Sequence, residues 1–420
     1  MKMLSFFLVL TLIPQVVFAL TLEQMQRAAL ENRALVKRFE TEIEKGAENI
    51  RIARGEYYPS LDILYNTFTI DEATLTERRE NSIFSGIVTW NIFAGFKDKY
   101  SIKSAEALKE VDMLRLSSIE QDIQLSVALR YLAVFFQQSR QEVAEDTFKT
   151  LEGLYLDSKN RYDVGLLDRN AVLKFKVDFD NADLAVKREK ADLEKALYLL
   201  AREVDQTISY PQLNFNEFQV PPALEDKEDY EQVMLRSRSE LKVLEGLAVA
   251  AAYNVDAEYG DYYPQFELVG RYRKYDDSLL NGRGEFTDEE LRAELVMSYN
   301  LFEGFIDEAE IARAKAEVRS LKYDLNELQN SLKTELKNLF VDYDISLANV
   351  AVAREDITFA EENLRITELK YKEGLQRQLD LLDAVSNLTR AQSNYVAVVR
   401  TVFENYFRII RMIEGFPGRS

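Results

Sequence analysis

The sequence contains neither histidine nor cysteine. Histidine is the usual general base and the commonest transition-metal ligand, so its absence argues against most hydrolases and metalloenzymes. Without cysteine the chain has no disulfide, no thiolate metal site and no lipid-modified cysteine. It also lacks a glycine-rich phosphate loop. These absences predict a protein that is not an enzyme and that binds no cofactor and no metal.

Positively charged residues are fewer than negatively charged ones. The chain has 53 Lys and Arg and 72 Asp and Glu, which gives a net charge of −19. This surplus argues against nucleic acid as a partner. Long apolar runs are confined to the N-terminus, where Leu4 to Val17 lead into Val17-Phe18-Ala19, a pattern typical of a signal peptide at 1–19. A mature chain without an apolar helix would enter a membrane only as β-strands.

Two copies of one pattern follow. Each has a helical segment that ends at Tyr-Tyr-Pro, since proline removes an amide donor, and each has an Asn-x-Phe-x-Gly-Phe junction further on. From the junctions onward the copies align without a gap at an offset of 209 residues. The sequence thus divides into a first repeat at 20–206, a connector at 207–228, a second repeat at 229–413 and a short tail at 414–420.

Each repeat is predicted to contain helices and strands in the same order. One helix precedes the prolines, at Leu22–Glu56 and at Asp229–Asp261. After each junction, apolar residues spaced by three and four indicate long helices with coiled-coil-like packing. Gly165 and Gly374 interrupt these patterns and predict the turns of two helical hairpins.

Between proline and junction, each repeat has two segments that alternate apolar and polar residues. The predicted strands are Ser60–Phe68, Ser82 to about residue 91, Gln265–Lys274 and Leu291–Leu301. Such alternation is typical of a membrane barrel around water, although a soluble two-faced sheet would show it too. Because four strands cannot enclose water, a barrel would need several chains.

Aromatic residues cluster at one end of the predicted strands, as in the girdle of a membrane interface. They are Tyr57, Tyr58, Trp90, Phe93, Tyr262, Tyr263, Tyr299 and Phe302. Past the second turn, Asp380 and Asp383 share one helix face and repel each other. A solvated helix carries such a pair by chance, so the pair alone indicates no function.

The order of these segments, the repeated junctions, and Tyr371-x-x-Gly374 followed by Leu379-Asp380-Leu381-Leu382-Asp383-Ala384 resemble the TolC-like outer membrane efflux protein family. The resemblance covers essentially the whole mature chain. It implies a mainly α-helical fold with a membrane β-barrel part, in which a homotrimer forms a 12-stranded barrel continuous with a periplasmic α-helical barrel. It also implies a place in the outer membrane, in contact with its lipid and extending into the periplasm.

In that family two aspartates per subunit surround the periplasmic aperture, and Asp380 and Asp383 fall on their positions. Six carboxylates in a trimer would favour cations. The resemblance also implies a gate latch to which Tyr371 would belong. Gln376 and Ala171 replace its arginine and aspartate, so Arg377 with Asp168 is a shifted alternative, and simple solvation of both is the other.

The hairpin turns are where the family meets a periplasmic adaptor protein, which connects it to an inner-membrane pump. The corresponding residues are Val164, Gly165, Leu166, Glu373, Gly374 and Leu375. The sequence therefore predicts a passive exit duct of a tripartite efflux or type I secretion system, with small molecules and polypeptides both open as cargo. A periplasmic coiled-coil scaffold without channel activity is the alternative.

Overall fold

The computed structural model describes residues 20–72, 79–218, 220–224, 227–275 and 289–418, so the expected signal peptide lies outside the described residues. In this part of the chain, each repeat has the order helix, helix, strand, strand, helix, helix, and the predicted duplicated, mainly helical fold is confirmed. The first repeat contains α1 (Leu22–Asn32), α2 (Ala34–Gly55), β1 (Ser60–Thr69), β2 (Glu80–Ala94), α3 (Lys97–Asp163) and α4 (Arg169–Val204). The second contains α5 (Lys227–Ser237), α6 (Ser239–Glu258), β3 (Gln265–Tyr275), β4 (Glu289–Ser298), α7 (Ile306–Lys372) and α8 (Gln378–Met412).

The four strands form one antiparallel sheet in the order β1-β2-β3-β4. β2 continues to Ala94, past a register shift between Asn91 and Phe93. β4 ends at Ser298, three residues before its predicted end, because the Asn300 side chain accepts a hydrogen bond from the amide of Phe302 and turns the chain. Within the described sheet, β1 and β4 each pair on one side only, so the sheet has two free edges.

The helices before the strands differ from the prediction, because each is broken once. The breaks fall at Arg33 and Arg238, which have extended ψ angles of 127° and 112° and lie 26 residues before Pro59 and Pro264. Neither break contains proline or glycine, so the sequence carries no local signal for them. At the first break, Arg33 forms a 2.8 Å ion pair with the buried Glu203.

The chain packs as two compact units, each of which draws on both repeats. The hairpin unit contains the described residues up to Val36, Ile119–Ser237 and Lys333–Ser420, and the sheet unit contains Lys37–Ser118 and Arg238–Leu332. In the hairpin unit the connector makes two 3-10 turns and a single bridge between Leu213 and Leu20. Tyr131 is fully buried. Its hydroxyl lies within hydrogen-bond distance of the carbonyl oxygens of Leu20 and Asn214 and so holds the connector in place.

The strand-to-helix junctions of the sheet unit have the same backbone in both repeats. Gly95 and Phe96 have φ angles of +64° and +70°, and Gly304 and Phe305 both have +65°. At Gly95 glycine is required twice over, because an added Cβ would also lie 2.0 Å from the carbonyl oxygen of Gly260. Among the described helices, none combines the length and the apolar character that crossing a membrane demands.

We predict that Gly95→Ala destabilises the chain by more than about 1 kcal/mol, since a side chain in the left-handed region alone costs roughly 1–2 kcal/mol. Gly153→Ala is the control, because Gly153 lies inside α3 with no described atom within 4 Å of the added Cβ. In a helix this change should stabilise by roughly 0.5–1 kcal/mol. Denaturant unfolding of the detergent-purified protein, followed by circular dichroism, measures both, and equal stabilities would contradict the packing at Gly95.

Candidate functional site: the hairpin turns and the sheet

The two hairpin turns close by the same backbone hydrogen bonds. In the first, the amides of Gly165 and Leu166 donate to the carbonyls of Tyr162 and Arg161 at 2.9 and 2.8 Å. In the second, the amides of Gly374 and Leu375 donate to Tyr371 and Lys370 at 3.0 and 2.8 Å. Both glycines have positive φ, so each turn is a Schellman motif that only glycine forms without strain.

Both turns present apolar side chains to solvent. Leu166 and Leu375 are each 76% exposed, and Val164, Gly165, Glu373 and Gly374 are exposed beside them. Leucines exposed at equivalent positions of two turns are unfavourable in water and favourable in contact with a protein partner. Contact with an adaptor at these turns remains a prediction.

The returning helices of the two hairpins are capped in opposite ways. Asp168 is the N-cap of α4, and its carboxylate accepts a 2.8 Å hydrogen bond from the amide of Ala171. At the equivalent place in α8 the N-cap is Arg377, which has no acceptor to offer. There the carboxylate of Asp380, three residues on, accepts from the amide of Arg377 at 3.2 Å. Each hairpin therefore carries one half of a capping box.

This arrangement uses the predicted latch residues locally. Arg377 lies 3.5 Å from Asp380 of its own hairpin, and its side chain is 82% exposed. Asp168 is occupied by its cap, and in the part of the chain that the structure describes no ion pair brings Arg377 and Asp168 together. The shifted latch thus has no support within one chain and stays a prediction for the assembly.

Tyr371 lies in the apolar core between the hairpins. Its ring meets Phe175 edge to face at 6.1 Å, and the guanidinium of Arg161 lies 5.6 Å from the ring centre. Its hydroxyl is buried and has no hydrogen-bond partner among the described residues. Burial raises the pKa of Tyr371 above its usual value, and the positive charge of Arg161 partly opposes this rise.

Asp383 is exposed and lines a groove of about 680 Å³ between the helices of the two hairpins. Lys174, Asp178 and Arg390 line the same groove, above a floor that includes Leu151 and Leu382. Burial raises the pKa of Asp178, while the nearby Lys174 lowers it. Among the described residues, Asp383 has no capping role like that of Asp380. The aperture role of both aspartates remains a prediction.

The structure adds a contact that the sequence did not suggest. The side-chain nitrogen of Gln378 donates to the carbonyl of Ala171 at 2.6 Å and so joins the second hairpin to the first. Ala171 was noted only as a departure from the family's latch aspartate. Because its backbone oxygen is the acceptor, no side-chain pattern reveals the pairing.

In the sheet unit, the register places most charged residues on the face opposite the large apolar ones, as predicted from the alternation. Lys274 and Glu289, a pair at one end of the sheet, lie on the apolar face. Pairing of Leu268 with Leu295, and of Trp90 with Leu268, puts these side chains on one face. That face is strongly exposed: Leu61, Ile63, Leu291 and Leu295 are 67–85% accessible. The opposite face carries Asp62, Glu267, Arg271, Arg273, Glu290, Arg292 and Glu294.

The predicted interface aromatics lie where the strands join the helices. Trp90 donates its indole proton to the carbonyl of Tyr57 at 3.0 Å, and Phe93 contacts Phe96 edge to face. Most remain exposed, namely Tyr57, Tyr58, Trp90, Tyr262, Tyr263, Tyr299 and Phe302, whereas Phe93 is half-buried. Amphipathic rings exposed in one band suit a boundary between lipid and water, a role that stays a prediction.

One group of acids among the described residues has oxygens within 4.8 Å of one another, namely Glu258, Asp261 and Glu310. The ammonium of Lys97 lies 3.4 Å from Asp261 and supplies a positive charge there. This cluster therefore gives no reason to assign a metal.

Taken together, the two-faced sheet and the paired helical hairpins form the duplicated unit that the sequence predicts. Residues 232–413, which make up most of the second repeat, match the model of the outer membrane efflux protein family. The resemblance seen in the sequence is thereby confirmed. A comparison with curated proteins gave no match.

Solved structures extend the likeness to the whole chain. The outer-membrane channel OprN is 16% identical with a TM-score of 0.79, over 94% of this chain and 90% of that one. The outer membrane protein VceC of Vibrio cholerae is 16% identical with a TM-score of 0.77, over 93% and 95%. The CmeC outer membrane channel of Campylobacter jejuni is 13% identical with a TM-score of 0.78, over 95% and 86%. These matches establish the fold of both repeats.

We predict that Asp168→Ala lowers the free energy of unfolding by about 1 kcal/mol, because it removes the N-cap of α4. Arg377→Ala, at the equivalent position, should cost less than about 0.5 kcal/mol, since an exposed ion pair contributes little. Denaturant unfolding of both variants is the measurement. A cost for Arg377→Ala equal to or above that of Asp168→Ala would contradict the opposite capping.

Proposed function

We propose that this protein is an outer-membrane exit duct that conducts substrates passively from an inner-membrane pump to the exterior. Three copies would each contribute four strands to one 12-stranded barrel, and their hairpins would form a periplasmic tunnel gated at the turns. An adaptor protein would dock on the exposed turn residues. The duct performs no chemistry of its own, which agrees with a chain without histidine or cysteine.

The observation that carries this proposal is the sheet. Its apolar face exposes Leu61, Ile63, Leu291 and Leu295 almost fully, while its other face is charged. Exposed apolar surface of this extent is unfavourable in water and favourable against lipid. Unpaired edge groups are costly in lipid, so the sheet must close, and it must do so with further copies.

The internal repeat supports closure by identical chains. Within one chain Gly95 packs against Gly260, and Phe96 meets Tyr263 edge to face at 5.7 Å. The positions equivalent by the repeat are Gly304 with Gly55 and Phe305 with Tyr58. In the described chain neither equivalent pair is formed. An added Cβ at either glycine meets nothing within 4 Å, and Phe305 and Tyr58 are 72% and 73% exposed, although Phe305 meets Phe302 edge to face at 5.3 Å. A neighbouring copy would supply the missing half of each contact.

We predict that Gly304→Ala lowers the yield of trimer. The left-handed φ of +65° makes the alanine cost the chain roughly 1–2 kcal/mol, which should leave it folded. The alanine would keep Gly55 of a neighbour from approaching as Gly260 approaches Gly95. Size-exclusion chromatography with light scattering in detergent measures the trimer fraction, and circular dichroism measures the fold. Gly165→Ala is the control, because Gly165 also has a positive φ and open space around an added Cβ, and it should leave the trimer fraction unchanged. A Gly304→Ala chain that forms trimer as fully as the control does would refute the proposed contact.

The function is tested by single-channel recording of the detergent-purified protein in a planar bilayer. We expect a small, long-lived conductance that prefers cations and is blocked by multivalent cations. Neutralising the carboxylates as Asp380→Asn with Asp383→Asn should abolish the block. Asparagine is chosen because its side-chain oxygen still accepts the hydrogen bond from Arg377 and keeps the α8 cap.

Asp168→Asn is the matched control, since it removes a charge from the first turn and also keeps a cap. It should leave the block unchanged. Block that persists in the double variant would remove the aperture assignment. A protein that conducts nothing and is extracted from cells without detergent would instead be a periplasmic scaffold.

A further inference from the structure

The turns of the two hairpins are joined by one side chain, that of Gln378. This residue is the first of α8, and its nitrogen donates to the carbonyl of Ala171 in the first turn of α4 at 2.6 Å. A carbonyl only accepts hydrogen bonds, so the amide nitrogen must face it. Ala171 is buried and Gln378 is half-buried, so water competes poorly for this bond.

Apart from the guanidinium of Arg161, which lies 5.6 Å from the ring centre of Tyr371, the contacts described here between the hairpins near the turns are also neutral. The hydroxyls of Thr147 and Thr389 lie 2.8 Å apart. Between this pair and the turns lies an apolar cluster drawn from both hairpins, made of Leu151, Phe175, Ala182, Tyr371, Leu381, Leu382 and Val385.

The charged groups around Gln378 form their ion pairs and caps within their own hairpins or face solvent, and only Arg161 among those named here also contacts a ring of the other hairpin. Asp168 caps α4, Arg377 pairs with Asp380, and Arg161 pairs with Asp157 at 2.8 Å while facing the ring of Tyr371. The groove beside them is lined by Lys174, Asp178, Asp383 and Arg390. Around the described turns, no ion pair links one hairpin to the other.

We propose that Gln378 holds the second hairpin against the first in the closed channel, and that closure is consequently insensitive to pH between about 5 and 8. The proposal rests on the proposed channel function, whose gate it specifies. Amides and hydroxyls do not titrate in this range. The first repeat has Arg169 at the position of Gln378, so each chain has this contact once.

The test uses two variants of the full-length trimer. Gln378→Ala removes the donor, and loss of one neutral hydrogen bond should raise the open fraction about two- to tenfold. Gln378→Glu has no proton to donate at pH 8 but regains one when protonated, near a pKa of roughly 4.3. Its open fraction should therefore fall toward the wild-type value between about pH 8 and pH 4. Gln376→Ala is the control, since Gln376 makes no hydrogen bond among the described residues.

Two measurements read the result. The first is the open fraction of single channels in a planar bilayer. The second is the distance between spin labels on Leu166→Cys and Leu375→Cys, measured by pulsed electron paramagnetic resonance with labelled chains diluted among unlabelled ones. The chain has no cysteine of its own, so labelling is specific, and both leucines are exposed. The label distance does not depend on conduction.

Longer or broader label distances in Gln378→Ala, and distances in Gln378→Glu that shorten with acid, would confirm the proposal. Unchanged distances in both variants would overturn it, as would a Gln376→Ala variant that opens equally. Opening by Arg377→Ala in place of Gln378→Ala would show that a charged latch holds the turns. If the wild-type protein conducts nothing, the proposed function fails, and the label distances alone still decide the role of Gln378.

Discussion

The structure depends on the need to close a sheet that is apolar on one face and unpaired at both edges. Water does not stabilise the face formed by Leu61, Leu291 and Leu295, and lipid does not stabilise the free edges of β1 and β4. Only a closed barrel in lipid satisfies both surfaces. The remaining features of the sheet unit, from the aromatic band to the paired Gly-Phe junctions, suit a sheet that continues into a neighbouring copy.

Because the chain is a repeat, many contacts have an equivalent position in the other half. The functional hypotheses rest on positions where the two halves differ. Gly95 contacts Gly260 within the chain, whereas Gly304 and Gly55 have no such contact in the described chain. The two hairpins share one turn geometry but are capped in opposite ways, by Asp168 and by Asp380. Asp380 thus caps α8, and the proposed function also places it at the aperture. The two roles are compatible because a cap uses one oxygen and leaves the charge.

Much of the fold can be predicted from the sequence because strands, strand starts and turns are marked by nearby residues. Alternation marks the strands, Pro59 and Pro264 mark the start of the sheet, and Gly165 and Gly374 mark the turns. The breaks at Arg33 and Arg238 carry no helix-breaking residue, so no local signal predicts them. The bond from Gln378 to Ala171 was missed because it joins residues 207 apart through a backbone oxygen. Asp168 and Arg377 have opposite charges, but within the chain each interacts with its own turn. Charge alone therefore does not predict their contacts.

The central claim, that three chains close one barrel, is tested most directly by an engineered disulfide between the free edges. By the repeat, the pairing of Thr89 with Val269 predicts that Ser298 of one copy faces Leu64 of the next. The account predicts that Leu64→Cys with Ser298→Cys gives oxidised species of two and three linked chains and nothing larger. Ile63→Cys with Ser298→Cys, on opposite faces, should not link. A double-cysteine chain that stays single on oxidation, or that links into longer series, would contradict the account.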